Sequence, residues 1–368
     1  MAITNKIKFA QQEKTTDSTT SSTSWTNQGT ILDANKTTEG REYLIISWVN
    51  CTSPGTNDGG TKLAFEGGGG DIKGSVQERH DTNSSGMCVP FIGQFTAPSP
   101  SQDIGIYRRR LYGSNVEHTN YGQAFVIDLS YSGVSGGLVS GTDFSTAQDF
   151  NETSTSTNGT IFQHTVYNDA GTQLVLATAR VFDSTNTVLL GLYINDVLVS
   201  SGSRYVQDAA DTKSVVFAGA YTMSNEDTVK IKNLDPDVAT SNYKYIASLN
   251  IDDAPATQAT GQLLTWTDNS SSGSWGTATI DGNDDTSFVI GMGRQTETGV
   301  QSGRMAAISL KNNTSDEWLL FKDRPSGDYS PVYYPATNPG ANVGQYETSV
   351  IIGVGKIGSS DEIEMRTL

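Results

Sequence analysis

Three histidines, two cysteines and a few acid-rich turns are the side chains through which this sequence could do chemistry. His80, His118 and His164 are widely spaced, and a hydrolytic triad would need one of them held beside a nucleophile. SerGlyGly at Ser135 comes nearest to a nucleophile elbow, yet no strand-turn-helix pattern surrounds it. The histidines therefore read as exposed or hydrogen-bonded polar residues. GluGlyGlyGlyGlyAsp at Glu66 has the glycines of a phosphate cradle but lacks both the Lys-Ser/Thr ending and a following helix. Between LysLeuAlaPhe and IleLysGlySer it reads as a wide hairpin loop.

Asp281, Asp284 and Asp285, in AspGlyAsnAspAsp, are the most calcium-like donors, with Asp252 and Asp253 as a second acidic pair. Neither has EF-hand spacing, and such pairs are also ordinary turn residues. No other cofactor is expected. Cys51 and Cys88 pair only if their strands adjoin, which spacing leaves open, and without a histidine cluster they do not suggest zinc. A carboxylate pair for glycoside hydrolysis can meet from distant strands, but nothing in the sequence marks one.

Two further sets suit contact more than catalysis. The rings of Trp318, Tyr329, Tyr333 and Tyr334 are dense near the C-terminus and could stack on sugars or on a protein partner, the other reading being sandwich core. ArgArgArg from Arg108 would alternate on a strand, Arg108 and Arg110 one way and Arg109 the other. These could meet acidic groups on a neighbouring copy, or form local ion pairs on a solvated face.

The elements that must carry these residues are strands. Of 368 residues, 35% are hydrophobic and 17% charged, with 38 glycines and abundant Ser, Thr and Asn. That mix suits pleated surfaces and many turns, and no long helical pattern is written. The fold class is all-β: tandem β-sandwich modules, jelly-roll-like or Greek-key, joined by Ser/Thr/Gly-rich linkers. A net charge of −16 repels nucleic acid and anionic membrane, so neither is an expected partner. No apolar run has the length of a signal peptide or a membrane span, so synthesis in a host cytoplasm without a signal peptide is expected.

Repetition organises the chain. SerTrpThrAsnGlnGlyThr at Ser24 and GlySerTrpGlyThr at Gly273 each follow a polar stretch, and ThrAsnGlyThr at Thr157 is an eroded counterpart. Apolar strands follow at Tyr43, Gln173 and Ser287, and Tyr-led closing strands at Asn120, Asn242 and Gln345. ValProPheIleGlyGlnPheThr at Val89 aligns with ValValPheAlaGlyAlaTyrThr at Val215, and Asp103 and Asp227 each introduce an alternating strand. The expected divisions are a polar arm 1–23, module one 24–131, linker 132–158, module two 159–252, linker 253–273 and a divergent module three 274–368. Opening and closing strands of one module should be neighbours, and turns are expected at Asn57, Asn168 and Asp281.

This pattern, with GluTyrLeuIleIleSerTrpVal, ValProPheIleGlyGlnPheThr and TyrGlyGlnAlaPheValIleAsp, resembles the jelly-roll modules of tailed-phage virion structural proteins: head decoration proteins and head or tail fibres. The resemblance is one of sequence style and carries no motif residue. It implies a non-enzymatic component on the virion surface, docked on capsid or tail proteins and self-associating. The arm would then be a docking strand, with Ile7, Lys8 and Phe9 as its apolar and basic contacts. The alternative is a carbohydrate-binding adhesin gripping a cell-surface glycan through the C-terminal rings. A secreted glycan-active hydrolase comes third.

Overall fold

The computed structural model describes residues 8–14, 16–52, 57–82, 87–114, 116–130, 140–141, 143–182, 187–205, 212–235, 237–250, 273–280, 285–296, 306–311, 346–357 and 361–367. Apart from a single 3-10 turn at Ala34–Lys36, the regular elements among these residues are strands.

Nine strands build the first sandwich: β1 (Lys8–Lys14), β2 (Ser18–Thr20), β3 (Thr26–Leu32), β4 (Glu42–Thr52), β5 (Asn57–Phe65), β6 (Gln77–Thr82), β7 (Met87–Thr96), β8 (Ile104–Tyr112) and β9 (Glu117–Asp128). One sheet has the order β1-β9-β4-β7, with β2 also on β9; the other is β3-β8-β5-β6. The second sandwich repeats this plan. Its strands are β10 (Phe144–Asp149), β11 (Thr153–Thr155), β12 (Thr160–Thr165), β13 (Gly171–Phe182), β14 (Thr187–Ile194), β15 (Val197–Tyr205), β16 (Lys213–Met223), β17 (Thr228–Asn233) and β18 (Ala239–Asn250). They form β10-β18-β13-β16, with β11 on β18, and β12-β17-β14-β15. Both orders are those of a jelly roll, whose chain crosses between two sheets and leaves opening and closing strands adjacent.

The expected repeats occupy equivalent strands. Val89 and Val215 lie in β7 and β16, and Asp103 and Asp227 immediately precede β8 and β17. The first Trp-bearing stretch leads into β3, the second forms the start of β19, and the eroded copy leads into β12, so each of the first two modules begins two strands before that position. The polar arm accordingly holds β1 and β2, and the stretch 132–158 holds β10 and β11, the first strands of their sandwiches. β2 and β11 are written wholly in Ser and Thr, and β1 and β10 are largely polar, so these first strands resemble linker in composition. The turn expected at Asn57 is instead the start of β5. In the third block, β19 (Gly273–Ile280), β20 (Asp285–Thr296), β21 (Ala306–Lys311), β22 (Tyr346–Ile357) and β23 (Asp361–Thr367) form a β19-β23-β21 sheet and a β20-β22 pair. The β20–β22 pairing matches β4–β9 and β13–β18, which likewise join the apolar and Tyr-led repeats.

Each sandwich has its own core. Ile31, Ile45, Leu63, Phe91, Ile106 and Val126 are among the residues filling the first, and Val175, Leu190, Val215, Phe217, Ile231 and Ile246 the second. A third cluster lies between the sandwiches: Leu44, Ile46, Ile92, Phe125, Ile127 and Leu129 meet Phe144, Leu176, Val216, Tyr243, Tyr245 and Leu249. The sheet β1-β9-β4-β7 is therefore laid against β10-β18-β13-β16, giving four sheets in a stack. Because strand side chains alternate, β4 sends Tyr43, Ile45 and Val49 into its own core and Leu44 and Ile46 into the junction. An uninterrupted apolar run such as TyrLeuIleIle is what burial on both faces requires.

Candidate binding faces and the junction cleft

Polar groups lock the junction at its edges. Glu78 and Thr212 exchange backbone hydrogen bonds at 3.0 and 3.1 Å. Arg180 donates through its guanidinium to the Val76 carbonyl at 2.7 Å, and the Ser214 N–H donates to Gln77 Oε1 at 3.1 Å. The Tyr245 hydroxyl donates to Gln94 Oε1 at 3.2 Å. The Tyr243 ring lies over Gly74, whose φ of +81° and missing Cβ both make room for it. Burial holds the phenols of Tyr243 and Tyr245 above their ordinary pKa.

Gly74 belongs to the glycine-rich loop after β5, which folds back tightly. The Phe65 N–H donates to Gly70 O at 2.9 Å and the Ile72 N–H to Leu63 O at 2.9 Å, so Ile72 plugs the first core. The loop thus does connect two antiparallel strands, β5 and β6, and it also forms one wall of a cleft between the sandwiches. That cleft, of about 220 Å³, is lined by Phe65, Ile72 and Phe95 together with Glu42, Asp71, Lys73, Gln94, Thr96 and Gln148. Gln148 comes from β10 of the second sandwich, beside Phe150, whose ring is 41% exposed. The Phe150 ring sits 5.4 Å from that of Tyr243, and the Lys73 ammonium lies 5.0 Å from its centroid.

The outward-facing sheets share a second arrangement. In the first sandwich Gly60 pairs with Arg109 and Lys62 with Tyr107 across β5 and β8. In the second, Gly191 pairs with Lys232 and Tyr193 with Lys230 across β14 and β17. Cations cover aromatic rings on both. Arg109 and Lys62 lie 4.6 and 4.8 Å from the Trp25 ring, over Gly60, and Lys232 lies 4.6 Å from Tyr193. Carboxylates in turn hold the cations: Asp71 to Lys62 at 2.7 Å, Glu78 to Arg109 at 2.5 Å, and Asp196 to Lys230 and Lys232 at 2.8 and 2.7 Å. The two ammonium groups hold the Asp196 carboxyl down to about 2.

Two guanidinium groups of the arginine run are engaged within the chain. Arg108 is buried, pairing with Glu117 and donating to the His118 carbonyl, while Arg109 stacks on Trp25. Arg110 is half-buried, with its N–H donated to Ser22 O at 2.8 Å. His164 Nε2 is 2.5 Å from the Ser145 hydroxyl, and burial pushes its pKa down. Ser145 is a buried mid-strand residue paired with Ser248, and this contact joins β10 to β12 across the edge of the sandwich. His118 Nδ1 is 3.1 Å from Asp17 Oδ2. His80 pairs with Gly59 in the β5–β6 register.

Strands β4 and β7 adjoin, but Cys51 lies opposite Met87 and Cys88 opposite Asn50; the Cys51 thiol is free and buried. Lys8 and Phe9 lie in β1, in register with Asp128 and Ile127 of the chain's own β9, while Ile7 lies outside the described residues. Asp281, Asp284, Trp318, Tyr329, Tyr333 and Tyr334 also lie outside them, and Asp285 begins β20. Among the described residues no cluster of three or more His, Cys, Asp or Glu is placed to hold a metal, and no helix is long and apolar enough to cross a membrane. The cleft and the paired outer faces escaped the sequence reading, although Lys73 and Asp71 sit in a loop it had singled out.

No family model matches this chain, and no curated protein sequence does. Solved structures similar to it include the tandem CBM22-1-CBM22-2 domains of Paenibacillus barcinonensis Xyn10C, at 9% identity and a TM-score of 0.22, covering 67% of this chain and 94% of that one. PNGF-II is similar at 9% identity and a TM-score of 0.25, covering 66% and 65%. A chain of infectious bursal disease virus, Gx strain, is similar at 9% identity and a TM-score of 0.22, covering 98% and 80%. At such scores these likenesses carry no argument, and function is argued from the chain's own geometry.

Proposed function

We propose that this chain is a non-enzymatic structural component of a virus particle: a decoration, fibre or vertex protein that docks on capsid or tail and projects β-modules outward. The observation that carries the reading is the junction between the sandwiches. Fusing two jelly rolls through a continuous apolar layer makes a stiff unit with one long axis, suited to projecting from a surface. Its outer faces are laced with ion pairs over aromatic rings, and the chain is strongly acidic, which keeps many copies apart until they dock. The test is immunogold labelling of density-banded particles with antibody against the purified chain. Label on intact particles is expected, whereas label confined to the unsedimented protein overturns the reading.

A second reading, attachment to a cell-surface glycan, is favoured by one observation: the exposed Phe150 ring beside a cleft rimmed with hydrogen-bonding groups. The two readings coexist in a projecting component that also grips a host surface.

A further inference from the structure

The junction cleft combines two chemistries on its wall. Its apolar part, Phe65, Ile72 and Phe95, is contributed by the core of the first sandwich. Its polar part offers two carboxylates, Glu42 and Asp71, two amides, Gln94 and Gln148, the Thr96 hydroxyl and the Lys73 ammonium. Several of these are held in place. Asp71 is tied to Lys62 at 2.7 Å, and the Lys73 ammonium lies over the Phe150 ring. Gln94 Oε1 accepts from Tyr245 of the second sandwich, which fixes the amide and leaves its N–H groups as donors. Gln148 is in register with that same Tyr245 across β10 and β18. Neither sandwich alone completes the cleft, and junctions between domains are common places for small-ligand sites.

Three features select the ligand. The volume, about 220 Å³, is below the roughly 300–1,000 Å³ of sites for drug-sized molecules, so a single ring is the scale. A small apolar floor, the edges of the nearly buried Phe65, Ile72 and Phe95, beside a rim of mixed donors and acceptors suits a compact molecule with a few C–H groups and a belt of hydroxyls. Asp71 is balanced by Lys62, and in a chain of net charge −16 the remaining Glu42 and Lys73 leave no cationic excess for phosphate, sulfate or uronate groups. We propose that this cleft is a carbohydrate subsite that takes one neutral pyranose ring. The proposal gives the attachment reading a location and a ligand class, and rests on that reading only for its biological use.

The test uses the full chain and saturation-transfer NMR with methyl glucoside, methyl galactoside, methyl mannoside and N-acetylglucosamine, alongside sodium glucuronate and inorganic phosphate. At least one neutral pyranoside should receive saturation. Its affinity should fall about tenfold or more in the double variant Glu42→Gln, Gln148→Ala, because hydrogen bonds to charged groups are the stronger kind. Both side chains are exposed, so the variant should keep the parent melting temperature. The proposal is overturned if no neutral pyranoside is saturated, if the double variant binds equally well, or if glucuronate or phosphate binds in preference. Binding of the same variant to host cells separates the two ideas. Attachment unchanged by the variant leaves the attachment reading standing without this cleft. Sugar binding by a parent chain that does not attach leaves the cleft standing without that reading.

Discussion

The two inner sheets are buried on both faces, whereas the two outer sheets are buried on one, and the sequence differs accordingly. In β18, burial is nearly continuous from Ala239 to Leu249. In β17, ThrValLysIleLysAsn alternates strictly, with Val229 and Ile231 inward and Lys230 and Lys232 out over Tyr193 and Asp196. The same contrast separates β4 from the Arg109 side of β8. The inner sheets supply cohesion between the two sandwiches, while the outer sheets present ion pairs laid over aromatic rings.

The largest effect should come from the inner layer. Leu249→Ala removes a fully buried side chain from the junction and should cost about 2–5 kcal/mol, read as a shift in urea midpoint. Protection against hydrogen exchange should then fall in both sandwiches, not only in the one that carries the change. Gly74→Ala is next. A Cβ there would strike the Tyr243 ring from a left-handed backbone position, costing about 1–3 kcal/mol and opening the cleft wall. Tyr245→Phe should cost about 1 kcal/mol by freeing Gln94, with the fold intact.

Outer-face changes should be the smallest. Lys232→Ala removes a cation over Tyr193 and one partner of Asp196, and its midpoint should move by less than about 1 kcal/mol. The pH dependence has a definite sign. A carboxyl lowered in the fold stabilises it above the ordinary value of 3.8, and that contribution is lost as pH falls through about 2. Acid titration of the Asp196→Asn variant should therefore match the parent below that window and depart from it above. An outer-face substitution that cost as much as Leu249→Ala would erase the distinction between the sheets.

Much of this plan is written in the sequence where repetition and period are strong. The Val89 and Val215 stretches, the Asp residues before β8 and β17, and the opening and closing strands all fall at matching places because core-facing positions constrain residue type in both modules. The first strands were hidden, since edge strands such as SerThrThr at β2 and ThrSerThr at β11 bury little and read as polar connector. A break in the first strand also recurs, spanned each time by a buried lysine: Lys14 donates to Thr16 O, and Lys244 to Asn151 O at 2.6 Å. No local pattern announces that contact, because Lys14 lies on the opening strand and Lys244 on the closing one. The junction was legible only in part. TyrLeuIleIle at Tyr43 lacks the alternation of a half-exposed strand, which implies a second buried face without saying what covers it. The cleft was beyond reach for the same reason, as its residues come from two modules brought together by that layer.

Hydrogen exchange of the full chain across a urea series, read by mass spectrometry on peptides from β4 and β9 and from β13 and β18, decides whether the two sandwiches share one buried layer. Two sandwiches joined through one buried layer should lose protection at a common midpoint. Separate midpoints, with β4 and β9 released while β13 and β18 stay protected, would contradict the shared layer and return the molecule to independent modules on a string.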